Sequence, residues 1–165
     1  MKFEIPLLGD RTRPFIKIDS ALGIVDTGSS IPMCGLPEDV MRNKYGAEFF
    51  SSKQTLKGFG GRGEQTSVLR FRHFAVGPLE FKGIPFLARD LSEFGVDFVI
   101  SACMFGKDTV LTIDRRNDLL IVEMPDIVFH SQKLWRCDTD GWHIYDYIDG
   151  QGWTNLAYEI SAEAD

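Results

Sequence analysis

Apolar residues in this chain recur at intervals of two over short stretches, and each stretch stops at glycine, proline or a cluster of turn-forming polar residues. Phe15-Ile16-Lys17-Ile18-Asp19 alternates, Ala21 to Val25 runs apolar, and Asp19-Ser20 between them predicts a hairpin. Phe74 to Val76, Leu79 to Phe81 and Ile84 to Ala88 are parted by Gly77-Pro78 and Lys82-Gly83. Phe98-Val99-Ile100 leads into a predicted helical turn over Ser101 to Phe105, and a polar turn at Arg115 to Asp118 joins Val110 to Asp114 with Leu119 to Val122. A longer helical pattern starts at Leu36-Pro37-Glu38-Asp39, with proline and acids in its first turn, and takes in Val40, Met41, Tyr45 and Phe49-Phe50. Short strands at this spacing, with one or two short helices, predict an all-β sandwich or barrel.

A chain of 165 residues, 44% of them hydrophobic, is long enough for one such domain with an appendage. The character changes near Phe129, where Trp135, Trp142, Tyr145, Tyr147, Trp153 and Tyr158 lie among Asp138, Asp140, Asp146 and Asp149. The predicted division is therefore a domain over 1–128 and a C-terminal extension over 129–165. That extension is too aromatic for plain disorder and is expected to pack on the domain or on its partner. Asp and Glu total 24 against 18 Lys and Arg, and a net charge of −6 disfavours nucleic acid or an anionic membrane as the main partner. Met1-Lys2-Phe3-Glu4-Ile5-Pro6 lacks the apolar run of a secretory signal, and no segment approaches the roughly 20 apolar residues of a membrane span. Cys34, Cys103 and Cys137 are odd in number and widely spaced, as expected of reduced thiols in a soluble, cytoplasmic protein.

Ile24-Val25-Asp26-Thr27-Gly28-Ser29-Ser30 sets a carboxylate between an apolar strand and a turn of small residues, and Asp-Thr-Gly occurs once in the chain. Asp26 alone fits an Asx-type turn at a strand end. It equally fits hydrolysis by paired carboxylates, one ionised to take the proton of a water and one protonated to donate to a carbonyl oxygen. Two such charges a few ångströms apart cannot both ionise, so the pair shares a proton and titrates as a unit. A second chain related by a two-fold axis supplies the second Asp26. In that arrangement Gly28, lacking a β-carbon, lets the two backbones approach; the Thr27 hydroxyl can tie one loop to the other, and Ser29 can exchange a hydrogen bond with the Asp26 carboxylate. Gly58-Phe59-Gly60-Gly61-Arg62-Gly63, between Thr55-Leu56-Lys57 and Gln65 to Phe71, predicts a β-hairpin with a mobile tip. No Gly-Lys-Ser/Thr follows it, so a phosphate loop is disfavoured.

The loop at 24–30 resembles the catalytic loop of pepsin-like and retroviral-type aspartic proteases. Phe15 to Ser30 is similar to the strand, strand, catalytic-turn opening of the retropepsin-like family, and Gly58 to Gly63 is similar to its flap. Asp97-Phe98-Val99-Ile100-Ser101-Ala102-Cys103-Met104-Phe105 resembles the strand and short helix that support the catalytic loop, and Leu111-Thr112-Ile113-Asp114 with Leu119-Leu120-Ile121 resembles the closing hairpin. The resemblance, over 15–122, implies a closed, barrel-like acid-protease fold and an aspartic endopeptidase acting as a homodimer on a peptide or protein substrate. It implies Asp26 as the catalytic residue of each subunit, Thr27, Gly28 and Ser29 as support for its loop, and Gly58, Phe59, Gly60 and Gly61 as the flap over the substrate. Ile31 and Phe59 would line pockets, and no metal or organic cofactor is required. Ser101 departs from the pattern, which has glycine there, and its side chain is expected to crowd the catalytic loop. Residues after Phe129 have no counterpart in the family.

Other chemistries fit the sequence less well. His73 lies in an alternating stretch and reads as a surface or interface histidine. Cys137 and His143 lack the further paired ligands of a zinc site. Cys34 and Cys103 lie in apolar stretches, read as small core residues, and have no histidine placed to activate them. Two alternatives to an active protease remain: a catalytically inactive peptide-binding or scaffold module of the same fold, and a latent protease whose extension is removed by self-cleavage after about Met124.

Overall fold

The computed structural model describes residues 1–9, 12–29, 31–57, 63–106 and 108–124, and beyond them the strand residues 132–133, 137–138, 141–142, 145–148, 152–155 and 157–162. Strands dominate. In chain order they are β1 (Lys2–Pro6), β2 (Phe15–Ile18), β3 (Ala21–Asp26), β4 (Met33–Cys34), β5 (Glu48–Lys57), β6 (Gly63–Phe71), β7 (Phe74–Val76), β8 (Leu79–Lys82), β9 (Ile84–Ala88), β10 (Phe98–Ser101), β11 (Val110–Asp114) and β12 (Leu119–Glu123). The C-terminal part adds β13 (Gln132–Lys133), β14 (Cys137–Asp138), β15 (Gly141–Trp142), β16 (Tyr145–Ile148), β17 (Gly152–Asn155) and β18 (Ala157–Ala162). The all-β expectation therefore holds.

A closed barrel is not found among the described residues. Seven strands form an open sheet in the order β2-β3-β10-β4-β9-β6-β5, with β2 and β5 as its edges, while β1-β12-β11 and β13-β18-β8-β7 form separate sheets. The reason lies in the pairing: β1 and β18 run along β12 and β8, and the chain just past the end of β1 meets the β2 edge only at the bridge Leu7↔Ile16 rather than as a full strand.

One α-helix, α1 (Glu38–Tyr45), follows β4, with Glu38 and Asp39 in its first turn and Arg42 and Lys44 in its last, each charge complementing the helix dipole. It ends earlier than its apolar pattern suggests. Gly46 takes a left-handed φ of 63°, and its N–H caps the carbonyl of Met41. A β-carbon at Gly46 would stand 2.9 Å from that of Arg72. The chain then turns directly into β5, so Phe49 and Phe50 lie in a strand, with Phe49 opposite Leu69 of β6.

Alternation along the central strands gives the large sheet two apolar faces. Ile16, Ile18, Val25, Phe98 and Ile100 point into the main core, which centres on an aromatic group including Tyr45, Phe71, Phe74 and Phe86; the Phe71 and Phe86 ring centroids are 4.5 Å apart. The intervening residues face the other way. Phe15, Ile24, Val99 and Met33 stand in register across β2, β3, β10 and β4, and the segment after β9 lays Leu91 and Val96 against this second layer.

β18 is the part of the predicted extension most firmly joined to the rest. It pairs antiparallel with β8, matching Glu159 to Lys82 and Ala162 to Leu79. Tyr158 and Ile160 are each 2% exposed and belong to the main core. The Tyr158 hydroxyl donates to the Met104 carbonyl at 2.5 Å. Residues 157–162 are thus built into the same packed body as 1–124. Among the described residues no helix is long and apolar enough to cross a membrane.

Candidate functional site

β10 is inserted between β3 and β4, parallel to the first and antiparallel to the second. The chain leaving β3 must therefore pass over the C-terminal end of β10 to reach β4, and of that passage residues 27–29 and 31–32 are described. Asp97, just before β10, aligns the three strands: its carboxylate accepts from Leu22 N–H at 3.0 Å, its own N–H donates to Leu22 at 2.8 Å, and its carbonyl accepts from Gly35 N–H at 2.8 Å. An acid before an apolar run is the sequence signal for this clamp, but its partners lie far along the chain.

Asp26 is the last residue of β3 and the register partner of Ser101, the last of β10. Strand alternation sets it on the same side of the sheet as Leu22 and Ile24, on the face of the second apolar layer. Its side chain is exposed, as are Thr27 and Gly28. The Gly28 N–H donates to Asp26 Oδ1 at 2.8 Å, closing a tight turn around the carboxylate. A β-carbon at Gly28 would come within 3.3 Å of that same oxygen, so any other residue would press the carboxylate aside by a few tenths of an ångström.

Below this exposed tip the loop is anchored. Ser29 is 9% exposed, and its hydroxyl donates to the Ile31 carbonyl at 2.7 Å; it does not reach the Asp26 carboxylate, the partner expected for it. Ile31 is buried in the main core. Ser101 is fully buried, and its hydroxyl donates to the Ser29 carbonyl at 2.5 Å while accepting from Cys103 N–H at 3.1 Å. The expected crowding is thereby resolved into a tie between β10 and the loop. The 3-10 turn after β10, Ala102–Phe105, buries Met104 and Phe105. Cys103 is exposed, contrary to its reading as a core residue, whereas Cys34 is fully buried as expected.

The two arms of the glycine hairpin are β5 and β6, paired from Glu48↔Arg70 to Lys57↔Gly63 with an irregularity between Phe49 and Lys53. Gly58, Phe59, Gly60 and Gly61 lie outside the described residues. His73 is exposed. Among the described residues no group of histidine, cysteine or acidic side chains is arranged to hold a metal ion. A cleft of about 590 Å³ lies where α1 ends and β8 meets β18, lined by Glu48, Arg70, Arg72, His73, Lys82 and Glu159 among others; it contains none of the loop residues. In it Arg72 lies 3.5 Å from Glu48, and Lys82 is the register partner of Glu159.

Compared with known proteins, the chain matches no family model, no curated protein and no solved structure.

Proposed function

We propose that this chain is an aspartic endopeptidase of retropepsin-like fold that acts as a homodimer. The observation that carries the reading is Asp26 itself: an exposed carboxylate, oriented by the Gly28 N–H, on a turn anchored to a buried strand and flanked by a half-exposed apolar row. An isolated carboxylate in that position has no acid-base partner in its own loop, and a two-fold copy supplies one. With one proton shared between the two Asp26 side chains, the ionised member takes a proton from a bound water as the oxygen attacks the peptide carbonyl. The protonated member donates to the carbonyl oxygen; collapse of the tetrahedral intermediate then delivers a proton to the departing amine. The half-exposed side chains of Ile24 and Met33 favour substrates with apolar residues beside the scissile bond. The paired arms β5 and β6 fit a cover over an extended peptide.

The experiment is cleavage of a diverse peptide library from acid to neutral pH by the chain and by Asp26→Asn, with oligomeric state recorded in the same samples. Cleavage by a dimer that vanishes in Asp26→Asn is expected. A monomer, or cleavage indifferent to Asp26, would overturn the protease reading. A stable dimer that binds peptides without cutting them would instead assign a peptide-binding module of the same architecture.

A further inference from the structure

We infer that Ser101 is a positioning residue for Asp26: its buried hydroxyl fixes the Ser29 carbonyl and so holds the turn that presents the carboxylate. The inference rests on the reading of Asp26 as catalytic, and it adds to the site a residue outside the loop.

Three features of the hydroxyl set it apart from a serine that merely fills space. It is fully buried, so water does not compete for it. It is oriented, because it accepts from Cys103 N–H at 3.1 Å and spends its one proton on the Ser29 carbonyl at 2.5 Å. It also acts at the right place, since Ser101 stands opposite Asp26 in the parallel pair of β10 and β3.

The far end of the loop has its own ties, with Ile31 buried in the main core and the Pro32 carbonyl accepting from Leu87 N–H at 3.0 Å, but among the described residues the end next to Asp26 has few. Asp26, Thr27 and Gly28 are exposed, the Ser29 hydroxyl is committed to the Ile31 carbonyl, and the Ser29 N–H reaches the Asp26 carbonyl at only 3.4 Å. Ser101 is therefore the side chain through which β10 grips the passage from β3 to β4. The anchor is itself secured, because the turn carrying Cys103 is fastened to β18 by the Tyr158 hydroxyl on the Met104 carbonyl. Removing the Ser101 hydroxyl leaves the Ser29 carbonyl and the Cys103 N–H without this partner. The turn is then free to relax, carrying with it the Gly28 N–H that orients the carboxylate.

The test compares Ser101→Ala, Ser101→Gly and Ser101→Thr with the parent chain. The measurements are kcat and KM on a cleaved peptide, amide hydrogen exchange at Gly28 by NMR, and melting temperature. In Ser101→Ala the expected result is a kcat lower by about ten- to a hundredfold, since a displaced catalytic group of about 1 Å costs that much, with KM changed by no more than about twofold. Gly28 exchange should quicken by about tenfold, while amides of β11 and β12 change less. Ser101→Gly should behave alike, and Ser101→Thr, which keeps the hydroxyl, should restore slow exchange.

Unchanged Gly28 exchange in a folded Ser101→Ala would overturn the inference. So would exchange that quickens equally at Gly28 and throughout β11 and β12, or failure of both Ser101→Ala and Ser101→Gly to fold, each of which marks a purely structural serine. If the parent chain cleaves nothing and Gly28 exchange still quickens selectively in Ser101→Ala, the protease reading fails while the positioning of Asp26 by Ser101 stands.

Discussion

At Gly28 two demands meet on one atom: the backbone N–H must reach Asp26 Oδ1 at 2.8 Å, and no β-carbon can lie beside that oxygen without pressing on it from 3.3 Å. Gly28 is exposed and takes no part in the core, so its replacement tests the carboxylate with little disturbance elsewhere. Gly28→Ala is expected to lower kcat by about tenfold or more through a shift of the carboxylate by a few tenths of an ångström. Its unfolding free energy should stay within about 0.5 kcal/mol of the parent, as for other exposed substitutions. Steady-state kinetics beside a urea titration checks both; a large stability loss with unchanged kcat would count against this role for Gly28. The turn around Asp26 could be read from the residues alone, because Asp-Thr-Gly-Ser declares a tight turn by its small side chains. The partners of the two serines could not. Ser29 turns to Ile31, two residues on, where the Asp26 carboxylate was an equally local acceptor, and Ser101 reaches Ser29 across 72 positions of chain.

Among the strands, β18 carries the most testable energetics. Burying a large side chain contributes about 1.5–3 kcal/mol, and β18 supplies both Tyr158 and Ile160 to the core. The hydroxyl bond from Tyr158 to Met104 adds about 1 kcal/mol. A chain ending at residue 156 is therefore expected to lose about 4 kcal/mol or more of unfolding free energy, a large share of the 5–15 kcal/mol typical of a domain. Tyr158→Phe alone should lose about 1 kcal/mol. Urea denaturation separates the two, and an equally stable truncated chain would show that β18 is dispensable. Self-cleavage after about Met124 would remove the same two side chains, so a matured, shortened form would have to fold without them. The hairpins β2-β3, β7-β8 and β11-β12 were readable because alternation and Gly, Pro or Asp turns agree locally. β1 and β18 were not, although Phe3 and Ile5, and Tyr158 and Ile160, do alternate. Each is recognisable only by its pairing with β12 or β8, and β18 is camouflaged by the acidic and aromatic composition before it.

For the molecule as a whole, three buried acids among the described residues contribute to the alkaline limit of stability. Burial pushes the Cys34 thiol from an ordinary 9.0 up to about 12, with a backbone hydrogen bond at Leu36 opposing and the charge of Asp97 reinforcing the shift. Burial likewise raises the hydroxyls of Tyr45 and Tyr158 above their usual 10.0, helped by Asp19 at the first and Cys103 at the second. Above about pH 9 the unfolded chain releases these protons and the native chain retains them. The unfolded state then binds fewer protons, and the unfolding free energy falls as pH rises. Melting temperature is expected to be insensitive to these groups from neutrality to about pH 9 and to decline beyond it, less steeply in Cys34→Ala once its lower baseline is subtracted. An identical alkaline slope in that variant would remove Cys34 from the account. The insertion of β10 between β3 and β4 has a kinetic consequence as well. A chain emerging from the ribosome makes β3, the Asp26 turn and β4 long before residues 98–101 exist, and the strand between them is added last. Closing so long a loop is slow relative to forming local hairpins. Until that strand slots in, the turn has neither its floor nor its Ser101 tie, so a nascent chain carries an Asp26 that is present but not yet aimed.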